Sequence, residues 1–151
     1  MWARLRRFSA LPVDAKKDFA RAVVLLPLIR MSLRLRGFQA TQKSLQARIG
    51  KGVAAFSEAA ATTEVQRLCR MVLAAGRHSL LQSTCLERSL ALWWLLARRA
   101  IASQLRIGAR KSEGKFEAHA WVEWNGEAIA EPEGTHLHYA AFEREFSGDF
   151  S

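Results

Sequence analysis

Cysteine is scarce in this 151-residue chain: there are two, Cys69 and Cys85. Two cysteines do not make a disulfide framework, and both are expected as reduced thiols in the cytoplasm. Long apolar runs are also missing. Val23 to Ile29 is interrupted by Pro27, and Leu90 to Ala97 covers eight residues, whereas a bilayer span needs about 20. Arg4, Arg6 and Arg7 open the chain, but Asp14, Lys16, Lys17 and Asp18 follow where a signal peptide would be apolar. No secretory signal is therefore expected. Internal repeats, low-complexity tracts and nucleic-acid-binding motifs are absent from the sequence. Half of the residues are hydrophobic and a quarter are charged, a composition suited to one globular domain with its own core.

Acidic residues are rare in the first part of the chain. Residues 1–60 hold twelve Lys/Arg against three Asp/Glu, whereas residues 61–151 hold eleven of each. The whole formal charge of +9 thus belongs to the N-terminal segment. Such a field favours an acidic peptide, a nucleic acid or an anionic membrane surface. The plainer reading is a solvated helix face.

The N-terminal segment reads as helix. Phe19, Val23, Leu26, Ile29 and Leu33 recur at helical spacing, Pro27 is expected to kink or divide it, and Gly37 is a plausible stop. Residues 38–61 are ambiguous. Thr63 and Gln66 have the spacing of a capping box, which predicts a second helix carrying Val65, Leu68, Cys69, Val72 and Leu73 and ending at Gly76. A third helix is expected from about Cys85 to Arg99. Its middle is apolar nearly all round, as a central helix should be. Beyond Ile101 the pattern alternates. Strands are expected over Leu105–Arg110 and Phe116–Trp124, and a short one over Glu127–Ala130 after the Asn125-Gly126 turn. Helices followed by an antiparallel sheet give an α+β fold. The expected division is a basic helical segment over 1–60 and a core over 61–151.

Thr84 and Glu87 form a second capping-box pattern, so Cys85 falls at the first helical position. Unsatisfied N–H groups and the positive end of the helix dipole gather there, and both favour a thiolate. Cys69 sits mid-helix on an apolar stripe and reads as core. His119 lies mid-strand on the face of Trp121 and Glu123. An imidazole can take the thiol proton and return it to a leaving amine. Taken alone it is more often a satisfied core histidine; paired with a helix-opening cysteine it makes a candidate dyad.

Glu131 is the candidate to orient His119, and hairpin register decides the matter. A two-residue loop at Asn125-Gly126 pairs Trp124 with Glu127 and turns Glu131 to the opposite side. A three-residue loop pairs Glu123 with Glu127 and sets His119 opposite Glu131. The second register is preferred because a carboxylate there fixes the imidazole tautomer. Glu133 is the fallback.

Residues 85–131, with C-L-E-R-S-L-A-L, I-G-A-R-K and A-H-A-W-V-E, resemble the transglutaminase-like core of lasso-peptide leader peptidases. The resemblance implies a papain-like α+β core with the cysteine helix packed on an antiparallel sheet. It matches Cys85 to the catalytic cysteine and His119 to the histidine. The third residue of that family is usually aspartate, and Glu131 stands in its place. The implied reaction is hydrolysis of one peptide bond, releasing the leader from a ribosomally made precursor, with the Cys85 N–H expected to help hold the oxyanion and Gln82 a candidate side-chain donor. No cofactor is implied. The implied partners are the precursor peptide and a separate leader-recognition protein, with the lasso cyclase a further candidate. The strand-poor segment 1–60 is not that recognition domain. Its basic helix, with Arg30, Arg34 and Arg36, is a candidate docking surface. His136 and His138 near Glu131 make a zinc site conceivable but loosely spaced, and no metal is expected. Two rival classes are acyl transfer to an amine and a non-catalytic basic binding module.

Overall fold

The computed structural model describes residues 9–50, 56–78, 82–131, 134–142 and 146–147. Among the described residues three long helices come first: α1 (Val13–Gln46), α2 (Glu58–His78) and α3 (Cys85–Ala97). The strands are β1 (Gln104–Ser112), β2 (Lys115–Trp124), β3 (Glu127–Ile129), β4 (Ala140–Ala141) and β5 (Phe146–Ser147), with a 3₁₀ turn at Thr135–His138 before β4. All pairings are antiparallel, in the order β3-β2-β1-β4, and β5 also pairs with β1. The fold is α+β, as the sequence pattern predicts. No helix among the described residues is long and apolar enough to cross a membrane.

Pro27 does not divide α1; the backbone departs from helical angles at Gly37, with φ 77° and ψ 179°. There the chain turns back. The Ser32 and Thr41 hydroxyls lie 2.8 Å apart, whereas nine residues of straight helix would separate them by about 13 Å. The returned segment is the helical part of the ambiguous stretch. Helix α2 starts at Glu58, five residues before the expected cap. Ser57 Oγ accepts from the Ala60 N–H at 3.3 Å, and Thr63 instead donates its hydroxyl to the Ala59 carbonyl. Gly76 lies inside α2, where Ser83 and Arg88 crowd the space a Cβ would take.

One core joins all layers: Ala22, Leu26 and Ile29 of α1, Leu68 and Val72 of α2, Leu90, Trp93 and Leu96 of α3, and Leu105 and Val122 of the sheet. Val23, expected on the buried stripe, is exposed. Helix α1 also grips α3 ionically at both ends. Arg30 pairs with Glu87 near the start of α3, and Asp18 pairs with Arg99 just past its end. The two grips are twelve residues apart on each helix, about 18 Å of helical rise, so the antiparallel helices match in register. Arg30 therefore spends its charge inside the fold and is withdrawn from the expected docking surface, which leaves Arg34 and Arg36 exposed.

Candidate active site

The first turn of α3 is built by local sequence. The Thr84 hydroxyl accepts from the Glu87 N–H at 3.3 Å, and a Glu87 oxygen accepts from the Thr84 N–H at 3.0 Å. The capping box fixes Cys85 as the first residue of the helix. Arg30 then clamps the Glu87 carboxylate with two hydrogen bonds, at 2.8 and 2.9 Å, and donates to the Gln82 carbonyl as well. An arginine fork on a carboxylate gives geometric precision that a lysine would not.

Burial acts to raise the Glu87 pKa. The hydrogen bonds from Arg30 and Thr84, with the positive charges of Arg30 and Arg34, outweigh that and hold it below its ordinary value. A carboxyl depressed on folding adds stability that is present above its unfolded pKa, about 4.3, and lost as pH falls through the lower folded value. The stability gap between the wild-type protein and Glu87→Gln is therefore expected to be full at pH 6 and to shrink steadily below about pH 4. Thermal melts followed by circular dichroism across that range check it.

Strand β2 supplies the histidine. The buried Ser89 hydroxyl, one helical turn from Cys85, donates to the Ala120 carbonyl at 3.0 Å, which ties α3 to β2 beside His119. Cys85, Arg88, Ser89 and Leu92 of α3 line a cleft of about 250 Å³ together with Arg77 of α2, His119 and Trp121 of β2, and Glu131. The three candidate residues thus share one cleft. Gln82 is exposed and is not among the residues lining it.

His119 Nε2 lies 2.6 Å from Glu131 Oε2. A carboxylate only accepts, so Nε2 carries the proton and Nδ1 is the basic nitrogen. This contact forms in the register that was not preferred. Trp124 pairs with Glu127 and Glu123 with Ala128, so the loop has two residues, with φ 51° at Asn125 and 80° at Gly126. Regular alternation would then carry Glu131 away from His119. The correction comes from Ala130, whose φ of 59° ends β3 and resets the direction of the chain. A left-handed alanine costs about 1 kcal/mol, and here the result is a carboxylate returned to the imidazole. Glu133, the fallback, lies outside the described residues.

Glu131 has a second histidine. Its Oε1 accepts from the His136 backbone N–H at 3.0 Å and from His136 Nδ1 at 2.9 Å. His119 is flanked by Trp121, with ring centroids 5.8 Å apart, and by Tyr139 at 4.9 Å. Gly108 of β1, paired with His119, makes room for this stack: a Cβ there would meet the Trp121 ring at 3.0 Å. His136 and Tyr139 belong to the tail whose sequence shows little pattern. The nearness of His136 to Glu131 in sequence was a signal for a shared site, and Tyr139 had none. His136 turns to Glu131, and no group of three or more His, Cys, Asp or Glu placed for a metal occurs among the described residues.

Cys69, mid-helix in α2, shows what an ordinary thiol does in this fold. Burial pushes its pKa up to about 11, against a smaller lowering by a backbone hydrogen bond. It is protonated at neutral pH and inert.

A family model described as Transglutaminase-like superfamily matches residues 22–144. The chain belongs to the transglutaminase-like superfamily. This superfamily includes cysteine peptidases and acyl transferases, and the match takes in α3, β2 and Glu131 as well as most of α1. No curated protein and no solved structure matches the chain.

Proposed function

We propose that this transglutaminase-like protein is a cysteine endopeptidase that removes the leader peptide from a ribosomally made precursor during lasso-peptide maturation. The observation that carries it is the cleft shared by a helix-opening cysteine and a histidine whose Nε2 is held by a carboxylate. The narrower assignment, to lasso precursors, is supported by the sequence resemblance over residues 85–131. In this reading the protein works in the cytoplasm with a separate leader-recognition protein.

His119 Nδ1 takes the Cys85 proton, and the thiolate adds to the scissile carbonyl. The Cys85 N–H, at the helix start, faces the developing oxyanion. The imidazolium, stabilised by Glu131, gives its proton to the leaving amine. Water, deprotonated by His119, then cleaves the thioester and frees the leader. His136 keeps the Glu131 carboxylate aimed at His119.

The test combines the purified chain, a lasso-type precursor and its leader-recognition protein, with products read by mass spectrometry. Release of an intact leader by one cut is expected. A labelled amine added to the same reaction separates the two activities of the superfamily. An amide adduct in place of the free leader acid would make the protein an acyl transferase. Intact precursor under all conditions would remove the peptidase reading.

His136→Ala is expected to lower kcat roughly fivefold, equivalent to one hydrogen bond of about 1 kcal/mol, with little change in KM. His136→Asn can still donate to Glu131 and should recover most of the loss. Steady-state kinetics of the two variants check this. Equal losses in both, or a change confined to KM, would contradict the role.

A further inference from the structure

The outward face of α1 is apolar. Val24, Leu28, Met31 and Leu35 are spaced by four, three and four residues and are 60, 57, 59 and 77% exposed. They form one helical stripe, on the side away from Ala22, Leu26 and Ile29. Two residues of this stripe reach adjoining depressions, Val24 the first and Leu28 both. One, of about 660 Å³, runs between α1 and the end of α3; the other, of about 370 Å³, lies where α1 turns back on itself. Leu25, Leu28 and Trp94 line both, so they make one groove with an apolar floor. Its rim holds Arg21, Arg98 and Arg99 at one end and Arg36 and Arg48 at the other. No carboxylate is among the residues lining either depression. Arg99 is neutralised by Asp18 and Glu64, and Arg21 also pairs with Asp18; Arg36 and Arg48 donate to Ser44 and to backbone oxygens, and Arg98 lies over the Trp94 ring.

We infer that this groove is the docking site for an acidic amphipathic helix of a partner protein. Its apolar floor takes side chains spaced along one face of a helix, and its arginine rim takes the carboxylates beside them. The competing occupants fit less well. A second copy of this chain would bring its own arginines against these in a two-fold interface. A membrane surface would suit a convex face better than a concave one. The groove reaches α3 at Trp94, nine residues from Cys85, or about 14 Å along the helix. A partner seated there leaves the cleft open and can deliver an attached peptide to it. That purpose rests on the peptidase reading; the binding does not.

The test uses the full-length chain and a fluorescein-labelled helical peptide of about 18 residues, five turns long. Leucines occupy one face of the peptide and glutamates flank them; a control peptide carries lysine for glutamate. Fluorescence anisotropy is expected to show saturable one-to-one binding of the acidic peptide. The lysine peptide, and the acidic peptide with Leu28→Glu or Arg98→Glu, should each bind at least about tenfold more weakly. Both substitutions are at exposed positions, and an unchanged melting temperature shows that each variant is folded. Absence of acidic-peptide binding, or equal affinity for both peptides, overturns the inference. So does an affinity that survives both substitutions. Flotation with phosphatidylglycerol vesicles, or a concentration-dependent dimer, that is lost in Leu28→Glu would reassign the face to a membrane or to a second copy. Because no turnover is measured, failure here leaves the peptidase reading standing.

Discussion

Cys85→Ala is expected to abolish precursor cleavage, with a loss on the order of 10⁴-fold or more, while precursor binding stays unchanged. The sulfur forms the covalent bond of the acyl-enzyme, and no neighbouring group can replace it. Cys69 cannot, since it lies in α2 with its thiol pushed up to about 11 by burial. His119→Ala should cost a comparable factor, and the double variant should cost little more than either alone, because the two groups act as one unit. Glu131→Gln should lose less, since it keeps a polar group near Nε2 but removes the charge that stabilises the imidazolium. Single-turnover cleavage of the precursor by these four variants checks the order. Losses that multiply in the double variant would separate the two residues.

The second large effect is on stability, at Asp18. Its side chain is fully buried. It accepts from Arg67 Nε at 3.0 Å and from Arg99, and Arg21 reaches it at 3.4 Å. Arg67 and Arg99 also meet at Glu64, at 2.7 and 3.1 Å. One ionic network thus joins α1, α2 and the end of α3. Asp18→Ala removes the fully buried one of the two carboxylates that Arg67 and Arg99 share, leaves both largely buried guanidinium groups to Glu64, and is expected to cost about 3 kcal/mol. Against a typical stability of 5–15 kcal/mol this threatens folding at growth temperature. Urea denaturation should show a large drop in midpoint with little change in slope. A cost below about 1 kcal/mol would mean that the network contributes orientation and not stability, as some buried ion clusters do.

The sequence made the two candidate residues, Cys85 and His119, legible for local reasons. Thr84, Cys85 and Glu87 carry their own helix start, and nothing distant is needed to place the sulfur. The alternation around His119 likewise fixes a strand without its neighbours. Glu131 was legible as a residue but not as a geometry. Its approach to His119 depends on the backbone at Ala130, and a left-handed alanine has no sequence signature, so the expected register was the wrong one of two. Helix α2 shows the same limit. Thr63 and Gln66 offered a good capping box, yet Ser57 caps the helix earlier because the alanines at 59–61 favour helix throughout. Arg30 and Asp18 were hidden for a different reason. Their partners lie 57 and up to 81 residues away in sequence, and only tertiary packing turns apparent surface charges into internal ones. The fold class survived these misses because it rests on periodicity, which each element carries by itself.

The account depends on Cys85 being a nucleophile activated by His119, and this can be measured without knowing the natural substrate. The full-length protein is mixed with p-nitrophenyl acetate, and the acetylated residue is mapped by mass spectrometry. Thiolate attack releases p-nitrophenolate and leaves an acetyl thioester. The expected result is a burst of one equivalent, with the acetyl group on Cys85, none on Cys69, and a much slower burst in His119→Ala. Equal labelling of both cysteines, or a Cys85 burst indifferent to His119→Ala, would contradict it.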